Sequence, residues 1–157
     1  MENNKLYSVI VNAVIAKDGK ILISQRSLEE KHQPGSWTIP GGKIENYEGK
    51  DEIFDIVEFT LAKEIREEVG VEISSKVSLL ANNTFRHTKG HLVLALEFLC
   101  EYKSGKATPL EDTAAVAWIS PAELNNYKFA PNVKEYLAKG FALLPYFHKT
   151  SSPNKTT

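Results

Sequence analysis

The apolar and polar positions change period several times along the chain, and each change predicts an element. Leu6 to Ala16 (LYSVIVNAVIA) is rich in β-branched and apolar residues, as a buried strand is. Asp18-Gly19 is a tight-turn pair, and Ile21 to Arg26 follows as the hairpin partner. Ser27 to Gly35 is polar and broken by Pro34-Gly35, so it reads as a loop, with Trp37 beyond it as a packing residue. Pro40-Gly41-Gly42 then reads as a turn. Val77 to Arg86 and His91 to Tyr102 are two strands joined at Thr88-Lys89-Gly90; the second is apolar almost throughout and is expected to be central. Ala115 to Ile119 is a short strand. Ser120-Pro121 opens a helix with proline at its first position, and Pro131 to Leu144 is a last helix with Val133, Tyr136, Leu137, Phe141 and Leu144 on its apolar face.

Between the glycine turn and Val77, apolar residues recur every four positions at Ile53, Val57, Leu61, Ile65 and Val69, a helical spacing that Gly70 ends. Two courses are open for the segment before this helix. A helix from near Ile53 carries Glu48 away from Glu64; a looped segment, with a shorter helix from about Glu58, keeps it close. On either course Glu64, Glu67 and Glu68 stand at i, i+3 and i+4 and share one face. Like charges so placed repel, and an acidic stretch of this kind is ordinarily a solvated helix face. A cation among them reverses the argument, and an all-oxygen donor set suits Mg²⁺ or Mn²⁺.

Composition narrows the setting. A length of 157 residues predicts one domain, taken as 1–148, with a polar and disordered tail over 149–157. A net charge of -1 leaves no basic footprint for a nucleic-acid polymer. Cys100 is the single cysteine, so no intrachain disulfide forms; with no signal-like or membrane-spanning stretch, a cytoplasmic location without membrane attachment is expected.

The segment GGKIENYEGKDEIFDIVEFTLAKEIREEVGV, Gly41 to Val71, resembles the signature of Nudix (MutT-type) hydrolases. Gly42 and Glu48 match its first part, and Glu64, Ile65, Glu67, Glu68, Gly70 and Val71 its second. Lys63 stands where the family has arginine, and fourteen residues, Gly49 to Ala62, stand where it has seven. Lysine keeps the charge but lacks the bidentate fork. PGSWTIPGG and WISPAEL also resemble the flanking parts of that family.

The resemblance implies an α/β fold, a mixed sheet sandwiched between helices (α/β/α). It also implies hydrolysis of a nucleoside diphosphate linked to another group, by water attack at a diphosphate phosphorus. It implies Mg²⁺, with Mn²⁺ as the alternative, held by Glu64, Glu67, Glu68 and the Gly41 carbonyl, with Glu111 as a further ligand. Glu64, Glu67 and Glu68 are the catalytic candidates; the general base is left between Glu68 and the Glu111-Asp112 pair. Arg26, Lys43, Phe85 and Arg86 are the candidate substrate contacts, Arg26 because a guanidinium fork matches phosphate oxygens and Phe85 because it can stack on a base. Neither the proline of ADP-ribose enzymes nor the tyrosine of dinucleoside polyphosphate enzymes stands beyond the motif, where the chain reads Phe85-Arg86-His87-Thr88. A MutT-like (d)NTP pyrophosphatase is therefore the expectation. The alternatives are ADP-ribose, nucleotide-sugar or dinucleoside polyphosphate hydrolysis, or a nucleotide sensor without turnover. Homodimer formation is left open.

Overall fold

The sheet is built around β1 (Tyr7–Lys17), whose residues alternate between two cores. Val11, Ala13 and Ile15 face one side, Val14 and Ala16 the other, and all five are buried. This strand pairs in parallel with β6 (Leu92–Ser104) along Tyr7 to Ala16. On its other edge it pairs antiparallel first with β4 (Gly41–Lys43) and then with β2 (Lys20–Arg26). The expected hairpin between β1 and β2 is present, with Asp18 and Gly19 both at positive φ as a two-residue turn requires. β3 (Trp37–Thr38) and β7 (Thr113–Ile119) flank β2, and β5 (Glu72–Arg86) flanks β6, giving a seven-stranded mixed sheet. The computed structural model describes residues 6–147, so the polar stretch from Lys149 lies outside the described residues.

One helix packs on each face. α1 (Ile56–Val69) buries Leu61, Ile65 and Val69 against Val11, Ala13, Ile15, Leu22 and Cys100. α2 (Val133–Phe147) buries Val133, Leu137 and Leu144 against Val14, Ile21, Ile23, Leu80 and Ile119. This is the expected α/β/α sandwich. Cys100 is fully buried, and burial pushes its thiol up to about 12, so it serves as a packing residue. No helix among the described residues is long and apolar enough to cross a membrane.

One open choice is settled and four expectations need correction. The segment before α1 is not helical: Asp55 sits in the left-handed region (φ 54°) and the helix starts at Ile56. A left-handed residue cannot continue a right-handed helix, so the four-residue rhythm back to Ile53 is cut at Asp55. The looped course is the one taken, yet Glu48 is not retained among the carboxylates. It lies on a short 3₁₀ turn, Tyr47–Gly49, with its side chain exposed and paired with Lys50 Nζ at 2.8 Å. Pro40-Gly41-Gly42 is not a turn but runs into the short strand β4. The segment after Ser120 makes a 3₁₀ helix, Pro121–Asn126, closed by a Ser120/Glu123 capping box. β5 also starts at Glu72 rather than Val77, directly after α1.

Candidate active site

Gly41 and Gly42 owe their place to closeness, since neither has positive φ. A Cβ at Gly41 would overlap the Val11 carbonyl and Asn12, so glycine is what allows β4 to lie against β1. A Cβ at Gly42 would lie 2.5 Å from Glu64 Cδ, so this glycine leaves the space that the Glu64 carboxyl fills. β4 is thereby pressed against the acidic face of α1. The Gly41 N–H donates to Glu68 Oε2 at 3.2 Å.

Lys63 sits among the carboxylates. Its Nζ lies 3.0 Å from Glu67 Oε2 and 3.5 Å from Glu64 Oε1. The chain before α1 doubles back onto this group: Tyr47 packs edge-on to Phe59 and its ring lies 5.9 Å from Lys63 Nζ. Gly70 ends α1 in the left-handed conformation expected of a C-terminal glycine, its N–H bonded to Ile65 and Arg66 carbonyls.

The electrostatics follow from burial. Burial pushes the Glu68 carboxyl up to about 8; the Gly41 N–H pulls it down, and Glu64 and Glu111 push it further up. Glu64 is also raised, first by burial, while Lys63 opposes the rise. Among the described residues no three carboxylate, imidazole or thiol side chains already converge as a metal-ligand cluster. Glu67 turns to Lys63 and Glu68 to the Gly41 N–H, as mutual repulsion dictates when lysine is the nearest cation. The donor set nevertheless suits a hard divalent ion. It offers three carboxylates on one helix face, two of them raised by partial burial, beside a cradle that a Cβ would fill.

Glu68 and Gly41 line a cleft of about 380 Å³ that runs over the sheet toward α2. Arg26, Phe85 and Glu111 line it too. Arg26 Nε donates to the His32 carbonyl at 2.9 Å, and its Nη2 lies 3.4 Å from Glu30 Oε2, so two fixed partners orient the guanidinium. Phe85 is exposed at the cleft wall. Glu111 adopts positive φ in the loop before β7. Two candidates stand elsewhere. Arg86 Nη1 donates to the Gly90 carbonyl at 2.6 Å and closes the β5–β6 hairpin, and Lys43 is exposed outside the cleft. Sequence reasoning passed over Asn12, Asn83 and Glu97, and read Tyr136 only as part of the apolar face of the last helix; all four line the cleft. One signal was available: Glu97 is a charge flanked by apolar residues on both sides within a strand.

A sheet held between two helices, with an acidic helix face set against a glycine strand, defines a class, and comparison with known proteins gives its family. The chain belongs to the Nudix family: the family model for the NUDIX domain matches residues 5–140. It is similar to the CTP pyrophosphohydrolase of Escherichia coli, with 31% identity over 78% of this chain and 82% of that one. It is similar to the 8-oxo-dGTP diphosphatase of Proteus vulgaris, with 27% identity over 66% and 84%. Its fold matches the NUDIX domain of NrtR from Shewanella oneidensis, solved with ADP-ribose, at TM-score 0.70 and 20% identity, over 89% and 90%. The chain is thus a Nudix hydrolase, an enzyme acting on nucleoside diphosphates linked to a further group.

Proposed function

We propose that the protein is a Mg²⁺-dependent, MutT-like nucleoside triphosphate pyrophosphatase. The observation that carries this reading is Glu68, a half-buried carboxyl that lines a cleft of about 380 Å³ and is hydrogen-bonded to the glycine strand. The relatives named as CTP pyrophosphohydrolase and 8-oxo-dGTP diphosphatase support triphosphates as the substrate class.

In this reading Glu64, Glu67 and Glu68, with the Gly41 carbonyl and Glu111, would hold the ion. When bound, a divalent ion offsets diphosphate charge and makes water more acidic. The chain's own residues do the rest. Glu68 Oε2 stays on the Gly41 N–H, which leaves Oε1 to take a proton from water. Arg26, held by the His32 carbonyl and Glu30, offers its remaining N–H groups to a phosphate. Phe85 gives the base a ring to lie against.

A second reading, ADP-ribose hydrolysis or binding, is favoured by the resemblance to the NrtR domain, which covers most of both chains. A screen over canonical and oxidised (d)NTPs, ADP-ribose, nucleotide sugars and dinucleoside polyphosphates, with Mg²⁺ and with EDTA, separates the readings. Triphosphates cleaved to monophosphate and pyrophosphate support the proposal. Metal-dependent cleavage confined to ADP-ribose transfers it to the second reading. Binding without turnover makes the protein a sensor.

A further inference from the structure

The floor of the cleft carries a group that the phosphate chemistry does not use. Glu97, on β6, is 1% exposed and lines the cleft. Its Oε1 accepts from Asn12 Nδ2 at 3.3 Å, while Oε2 is buried with no hydrogen-bond partner among the described residues. An ionisable group in that state is costly unless something else meets it.

Polar and aromatic side chains, Asn12, Asn83, Tyr136 and Phe85, line the cleft with it. Across the sheet, Gly41, Asn12 and Glu97 stand in register on three adjacent strands, so about 10 Å separates Gly41 from Glu97. That is within the span of a nucleotide whose phosphates lie at Gly41. On β5, Asn83 pairs with Ala95, two residues from Glu97 on the same face, and its Oδ1 accepts from the Tyr136 hydroxyl at 2.6 Å. This leaves the Asn83 amide N–H groups to face the cleft. Phe85 follows two residues on and shares the face of Asn83.

Resting on the reading that the cleft holds a nucleotide, we infer that Glu97 selects the base by its exocyclic amino group. The buried Oε2 accepts an N–H from the base while Phe85 stacks on its ring. A base carrying a carbonyl at that position sets oxygen lone pairs against the carboxylate. Burial raises the Glu97 carboxyl above its ordinary range, and N–H donors from a ligand offset that cost. The class recognised is therefore amino-bearing bases (cytosine, guanine or adenine) over the counterpart that lacks the amine.

The test is binding of monophosphates, which needs no hydrolysis. Dissociation constants are measured by calorimetry for CMP against UMP, GMP against IMP, and AMP against IMP, with wild-type protein and with Glu97→Gln. Expected is a preference of at least about fivefold for the amino member of one pair, the low end of what a well-placed base contact discriminates. Glu97→Gln, which offers an amide N–H instead, brings that ratio below about twofold or reverses it. Equal binding within every pair by wild-type protein, binding of none at millimolar concentration, or an unchanged ratio in Glu97→Gln overturns the inference. The wild-type ratios stand even if the variant fails to fold. A preserved base preference without any Mg²⁺-dependent cleavage sinks the hydrolase reading alone.

Discussion

Glu68 Oε2 accepts a hydrogen bond from the Gly41 N–H at 3.2 Å, joining the end of α1 to the glycine strand 27 residues earlier. The bond fixes a half-buried carboxyl whose charge is costly, and this gives a signed prediction for metal-free protein. Glu68 ionises near 4.5 when unfolded and at about 8 when folded. Below the first value both states hold the proton and no penalty applies. Between the two, the folded state keeps a proton that the unfolded state releases, so stability falls as pH rises, and the penalty is complete above about 8. Glu68→Gln keeps an acceptor for the Gly41 N–H and never ionises. In EDTA, it should raise the melting temperature at pH 9, by the equivalent of a few kcal/mol at most, and leave it unchanged near pH 4.5. It should also lower hydrolysis by about a hundredfold or more. A lower melting temperature for the variant at pH 9 would show that the buried charge is not a penalty.

The same proton competes with the ion. A carboxylate must be free of its proton to bind metal, so Mg²⁺ affinity should rise with pH up to about 8 and level off above it. Titrating Mg²⁺ dependence of hydrolysis at pH 6, 7, 8 and 9 reads this directly. A metal requirement independent of pH over that range would remove Glu68 from the ligand set.

Gly42 separates a structural defect from a site defect. A Cβ there meets Glu64 Cδ, Cγ and Oε2 at 2.5, 2.7 and 2.8 Å, the movable end of a flexible side chain. At Gly41 the obstacle is backbone. Gly42→Ala should therefore keep most of the thermal stability while raising the Mg²⁺ concentration needed for half-maximal activity. Gly41→Ala should lose melting temperature first, because β4 can no longer lie against β1. If the two variants show the same balance of melting temperature and Mg²⁺ requirement, the glycines have no separate roles.

These contrasts mark what was legible in the residues. The strands were readable because β1, β2 and β6 alternate or saturate in apolar positions, and the acidic face was readable because i, i+3 and i+4 fix a helix face. Where the pattern misled, it was extended past its cause. Ile53 keeps the four-residue rhythm of α1, but Asp55 turns left-handed and ends the helix there. Glu48 keeps the family spacing, but the longer connection leaves it in solvent against Lys50. Glu97 was passed over because its meaning depends on Asn12 and Asn83, on two other strands, which only the sheet register brings beside it.

Lys63 occupies the place from which a cation steadies the carboxylates before any metal arrives. Its Nζ lies within 3.5 Å of both Glu64 and Glu67, and the hydrogen bond to Glu67 together with both carboxylates raises its pKa, so it stays charged through the neutral range. The group is about a third exposed, so water screens the pair and its worth to stability is at most about 1 kcal/mol. Lys63→Met should lower the melting temperature in EDTA, because Glu64 and Glu67 then repel without a countercharge. In saturating Mg²⁺ the difference from wild type should shrink, since the ion supplies the missing positive charge. Lys63→Arg should hold the melting temperature and, by bridging two carboxylate oxygens with its fork, lower the Mg²⁺ requirement modestly. Calorimetric melts of the three proteins with EDTA and with Mg²⁺ read all of this. An equal penalty for Lys63→Met in both conditions would mean that the ion does not sit among the carboxylates that this lysine steadies.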